Sequence, residues 1–224
     1  MFYRSPQFWL LFTLILVSVL AIGQQVADTR KLRKPVFDNP ITDSGTKLPQ
    51  DVTIFGADPV RGDKSADITI IEFSDFACPY CAEVASLLKT AVANNKGKIK
   101  LVWKDFPLPT HAESLPAAEA AQCAGAQGKF WEYHDKLFSA QNNLGEVQYN
   151  NLAIELGLDT IEFKTCLIEH KSRALIQKNF IEGQAVGLAG TPFLIVGKKT
   201  HTGVITVEEL EQLVSKSHAS SADK

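Results

Sequence analysis

At 224 residues the chain is long enough for one good-sized domain, and 45% hydrophobic composition supplies a real core, which excludes global disorder. A formal net charge of −2 carries no basic excess and argues against a nucleic-acid partner.

After Arg4 the chain is uncharged and almost wholly apolar over 8–22. As a helix that run reaches about 22 Å, short of the ~30 Å hydrocarbon core. The length suits the apolar region of a signal peptide, with small residues at Ala21 and Gly23 around a cleavage point. Residues 1–23 therefore read as a signal peptide or an uncleaved signal anchor. Either way the body is expected outside the cytoplasm, periplasmic or otherwise exported, touching membrane only through this segment. Disulfides persist in such a compartment, and the chain has four cysteines: Cys78, Cys81, Cys123 and Cys166.

Residues 24–50 are polar, with Pro35, Pro40 and Pro49, and read as a linker. A short edge strand is expected over 51–55, then a turn-rich connection. The run over 68–73 is β-branched and apolar on both faces, as in a buried central strand. Val84, Leu87, Leu88, Ala91 and Val92 recur at helical spacing, and Asn94-Asn95-Lys96-Gly97 stops that helix. Residues 98–106 alternate like a strand, completing a βαβ unit.

From about 112 to 187 the pattern is helical: an Ala-rich segment, an aromatic one with Phe130, Trp131 and Tyr133 expected in its core, and three more candidates in 146–157, 160–170 and 171–185. Asp159 with Glu162 forms a candidate capping box. A strand over 191–196, a turn over 197–199 and a returning strand over 201–205 precede an amphipathic helix over 207–216. Residues 217–224 are expected to be a disordered tail. The domain, 51–216, is thus a small α/β sheet interrupted by a helical insertion.

Cys78-Pro79-Tyr80-Cys81 lies between the central strand and its helix. Such a pair can bind zinc, close a small disulfide or simply pack. Unpaired N–H groups and the helix dipole at a helix start favour a thiolate at Cys78. Pro79 suits the first turn, where its missing N–H costs nothing, and Cys81 faces the same side as Cys78. A zinc site needs more ligands than Cys123 and Cys166, isolated in helices, provide. No metal is expected, and redox chemistry is the favoured reading.

"FSDFACPYC", "GTP" at Gly190-Thr191-Pro192, and "AAEAAQCAGAQGKFWEYHDKLF" together resemble the DsbA-like thioredoxin-fold oxidoreductases, over roughly 58–214. The resemblance implies a thioredoxin-like fold with an inserted all-helical subdomain and no cofactor. It implies a solvent-facing nucleophile at Cys78, a buried partner at Cys81 and a cis-proline at Pro192. Thr191 and Pro192 would then border a groove that pairs with an extended substrate segment. Glu72, six residues before Cys78, falls where this fold often has a buried acid that relays a proton to Cys81. Some relatives carry a disulfide in the insertion, which makes Cys123–Cys166 a candidate; two free buried cysteines are the alternative. Asp75 reads as a surface or helix-approach residue. His111, His134, His170 and His201 have no evident partner and read as structural or surface residues.

The expected function is an exported thiol–disulfide oxidoreductase that gives its disulfide to reduced, folding proteins. A membrane protein linked to quinones would reoxidise it, as the resemblance implies. A disulfide isomerase or reductase of the same fold, or a non-catalytic peptide-binding chaperone, are the alternatives. Thioredoxin near −270 mV and DsbA near −120 mV both carry Cys-x-x-Cys, so the motif leaves the direction open.

Overall fold

The computed structural model describes residues 52–221, with side chains to 217. The segments read as a signal peptide or anchor (1–23) and as a linker (24–50) lie outside the described residues. Among those described, no helix is long and apolar enough to cross a membrane.

The strands are β1 (Val60–Arg61), β2 (Ile68–Ser74), β3 (Ile99–Asp105), β4 (Phe193–Val196) and β5 (Lys199–Thr202). They form one sheet in the order β1-β3-β2-β4-β5. β2 is central and parallel to β3, and the remaining pairings are antiparallel. Six of the seven residues of β2 are buried, as its β-branched run requires.

The crossover from β2 to β3 is α1 (Pro79–Asn94). Its buried stripe, Cys81, Val84, Ala85, Leu88 and Val92, packs on the face of β2 that carries Ile68 and Ile70. Because side chains alternate along a strand, Glu72 and Ser74 point to that same face. The final helix, α7 (Val207–Ser221), lies on it too, through Leu210.

Five helices enter between β3 and β4: α2 (Ser114–Ala126), α3 (Phe130–Ser139), α4 (Glu146–Glu155), α5 (Thr160–Ile168) and α6 (Arg173–Ala185). α2 is nearly all alanine on its inner faces, so α3 and α5 approach it closely and build a second core around Phe130, Tyr133, Leu137 and Phe163. A disulfide joins Cys123 of α2 to Cys166 of α5, with 5.8 Å between their Cα atoms. α6 covers the opposite face of the sheet. There Lys104, fully buried, binds Asp58 at 2.6 Å and Glu182 at 2.9 Å.

Several local expectations are corrected. The edge strand is Val60–Arg61, within the stretch read as turns, and 52–55 forms none: Phe55 instead lies under the Lys104 ammonium at 4.3 Å. The hairpin turn is tighter than expected, Gly197 taking φ 59°, so β5 begins two residues early. Asp159 caps α5 by accepting from the N–H groups of Ile161 and Glu162. Its own N–H goes to Gln127 Oε1 at 2.8 Å, and Glu162 does not complete a box. α7 continues through the residues expected to fray, as far as Ser221.

Candidate active site

Cys78 caps the start of α1, and Pro79 occupies its first turn, where no backbone donor is needed. The Cys78 N–H donates to the Asp75 carbonyl at 3.1 Å, and the Cys78 carbonyl accepts from Cys81 N–H at 3.1 Å. This turn brings both thiols to one side, Cys81 fully buried and Cys78 only 4% exposed. Cys78 was expected to face solvent. It does not, because the Thr191 carbonyl lies 3.5 Å from its Sγ. Pro79 and Tyr80, the latter 59% exposed, are the open residues of the motif.

The Thr191–Pro192 peptide is cis. Gly203 N–H donates to the Pro192 carbonyl at 2.9 Å.

The two thiols differ in acidity. A hydrogen bond from the Cys81 thiol, helped by Thr191 and by the N–H groups of Cys81 and Tyr80, brings Cys78 down from 9.0 to about 6 against its burial. Burial, then the bond and charge of Cys78, drive Cys81 well above the usual thiol range.

Glu72 is fully buried, and neither carboxyl oxygen has a hydrogen-bond partner. Burial lifts its pKa to about 7, tempered by Ser74 and by the charge of Arg61. Ser74 Oγ is likewise buried and falls short of full hydrogen-bond geometry, yet it is close enough to pull down the pKa of both Glu72 and Cys81. Glu72, Ser74 and Cys81 thus form a sealed polar column between β2 and α1.

The sequence reading missed several neighbours. Ser74 gave no signal beyond sharing strand parity with Glu72. Asp75 is buried rather than at the surface: its carboxylate accepts from Ala77 N–H at 2.8 Å and Leu108 N–H at 3.2 Å, and pairs with His111 Nδ1 at 2.7 Å. Three other histidines also have partners: Asp135 for His134, Glu119 for His170 and the Val204 carbonyl for His201. His134 is walled in by Phe76, Trp103 and Phe138, and burial pushes its pKa down to about 4. Gln141, in a single 3-10 turn after α3, donates to the carbonyls of Phe76 and Cys78, both at 2.8 Å. Among the described residues no group of acidic, cysteine or histidine side chains is arranged to hold a metal ion.

Comparison with known proteins agrees with this geometry. A thioredoxin-like oxidoreductase from Silicibacter pomeroyi DSS-3 is 27% identical, with a TM-score of 0.69 over 74% of this chain and 94% of that one. The thiol-disulfide exchange protein alpha-DsbA2 of Wolbachia pipientis, 23% identical, shares the fold with a TM-score of 0.66 over 71% of this chain and 86% of its own. A Na(+)/H(+) antiporter, NhaA 1 of Salinispora arenicola, is 32% identical over 163 residues, 72% of this chain and 25% of the antiporter. This chain therefore spans about a quarter of the length of the curated relatives it matches. The family model described as Thioredoxin matches residues 55–216, which takes in all five strands and the whole insertion. On that match the chain belongs to the thioredoxin family.

Proposed function

We propose that the chain is an exported thiol–disulfide oxidoreductase that passes a Cys78–Cys81 disulfide to reduced protein substrates. The observation that carries this reading is the asymmetry of the pair: an acidic thiol at a helix start against a sealed, weakly acidic one. A substrate thiolate attacks Cys78 Sγ, the internal S–S bond breaks, and Cys81 leaves as a thiolate. Glu72, protonated at neutral pH about as often as not, returns a proton to it along the Ser74 side. A second substrate thiolate then attacks the substrate sulfur of the mixed disulfide and Cys78 leaves as a thiolate, a good leaving group because of its low pKa. The substrate has lost two electrons and the pair has gained them. A membrane protein of oxidising potential restores the disulfide, and residues 1–23 direct or anchor the protein outside the cytoplasm. Thr191 and Pro192 border the approach of the substrate backbone.

Oxidation is the favoured direction. At pH 7 the lowering of Cys78 from 9.0 to about 6 favours the reduced pair by about 1.4 kcal/mol, or ~30 mV, a fifth of the ~150 mV between thioredoxin and DsbA and in the oxidising direction.

Replacement of Cys81 by alanine, at pH 8, should trap reductant-sensitive mixed disulfides through Cys78. No trapped species, or full activity of Cys78→Ser, would reject the enzyme reading in favour of a peptide-binding chaperone. A glutathione titration giving a potential near −270 mV would reject the oxidase direction. An exported form beginning near Gln24 would rule out the anchor.

A further inference from the structure

Besides packing His134 and Phe138 against Phe76, the helical insertion hydrogen-bonds the redox turn through a side chain that neither the motif nor the reaction above requires. Gln141 Nε2 donates both its hydrogens to backbone carbonyls of that turn, to Phe76 O and Cys78 O, each at 2.8 Å. Three other backbone groups of the turn are satisfied locally: Ala77 N–H by Asp75 Oδ1, Cys78 N–H by Asp75 O, and the second lone pair of Cys78 O by Cys81 N–H. Gln141 reaches the carbonyls of Phe76 and Cys78 from outside, across 65 and 63 positions of sequence.

We propose that Gln141 is a positioning residue for the redox pair: it holds the turn so that Cys78 Sγ stays over the helix-start amides and the carbonyl oxygens of Phe76 and Cys78 stay turned away from it. The proposal rests on the proposed function for its purpose, and on the two hydrogen bonds for its geometry. A carbonyl oxygen is the negative end of its dipole, so one turning toward a thiolate raises its energy. Gln141 keeps two such oxygens aimed at its own amide, on the insertion side. The Cys78 carbonyl is also the acceptor that closes the first turn of α1. Fixing it aligns the Tyr80 and Cys81 N–H groups that help lower the Cys78 pKa. A neutral amide does this with two donors and no added charge. The consequence is coupling: a shift of the 3-10 turn, Gln141–Asn143, changes the acidity of Cys78 without touching either cysteine.

The test compares Gln141→Met, which keeps the length and loses both donors, with Gln141→Glu, whose carboxylate would face two carbonyl oxygens. Gln127→Ala is the control. Gln127 also bridges within the insertion, to the Asp159 backbone at 3.1 and 2.8 Å, and its recorded bonds lie away from the redox turn. In each full-length protein, the pH midpoint of Cys78 alkylation by iodoacetamide is read in the reduced form, beside the glutathione equilibrium and thermal unfolding.

Gln141→Met should raise the midpoint by about half to one pH unit, the equivalent of about one lost hydrogen bond, and make the disulfide roughly three- to tenfold harder to reduce. Gln141→Glu should move both further at pH 8, and Gln127→Ala should lose stability with the midpoint unmoved. Wild-type midpoints in folded Gln141→Met and Gln141→Glu, or an equal shift in Gln127→Ala, would overturn the proposal and leave Gln141 purely structural. The alkylation midpoint needs no protein substrate. Failure of the wild type to exchange with glutathione would therefore count against the proposed function, and not against the clasp.

Discussion

Cys78 and Cys81 sit one helical turn apart and share a backbone hydrogen bond, yet their acidities move in opposite directions. Cys78 receives the donors of the turn, and Cys81 lies in a buried region where Ser74 and Thr191 only partly offset the cost of its charge. The same region has a cost that can be measured. Glu72 titrates near 7 when folded and near 4.5 when unfolded. Below about pH 4.5 both states hold the proton and nothing is lost. As pH rises to 7 the unfolded chain releases it first, and stability falls by about 1.4 kcal/mol per unit until both are ionised. Glu72→Leu should therefore stabilise the protein by about 3 kcal/mol more at pH 8 than at pH 4, measured by urea unfolding at both pH values. An equal gain at the two pH values would mean that burial does not hold the carboxyl neutral. The pair and Glu72 were legible in the sequence because a motif marks them. Gln141, Asp75 and His111 were not, since each reaches the turn through a contact that only the folded chain creates.

At the scale of elements, periodicity located the sheet and the insertion because burial set it: β2 and β3 are buried along nearly all their length, and α1 carries a regular apolar stripe. The features that periodicity missed were held by single contacts. β1 is two residues long and exists by pairing with Val102 and Leu101. The approach of α6 to the sheet depends on Gly183, where an added Cβ would come within 2.6 Å of two atoms of the Phe106 ring. That ring is stacked on Phe180 with 4.6 Å between centroids and cannot swing aside freely. In an open helix alanine would gain about 0.4–1 kcal/mol over glycine. Here overpacking should win, and Gly183→Ala is expected to destabilise by about 1–3 kcal/mol in a denaturant titration. A stabilised variant would mean that α6 can move off the sheet at little cost.

Across the whole molecule, two cores meet at the redox turn: one between the sheet, α1 and α7, the other inside the insertion, where Phe76, two residues before Cys78, is packed. The insertion carries its own covalent tie, the Cys123–Cys166 bond, which closes 43 residues of chain. For a loop of that length, the chain-entropy estimate of its stabilisation is about 4 kcal/mol. Replacing both cysteines by alanine should lower unfolding free energy by up to that amount. It should leave the alkylation midpoint of Cys78 near 6, because neither sulfur takes part in the contacts that set it. A marked shift of that midpoint would show that the tie reaches the redox turn. Once the insertion has closed, Cys123 is 1% exposed and Cys166 6%, beyond the reach of any other protein's thiol. Their bond is therefore expected to form while α2 and α5 are still apart, so this chain depends on a disulfide being made in it before Cys78 and Cys81 take up any exchange of their own.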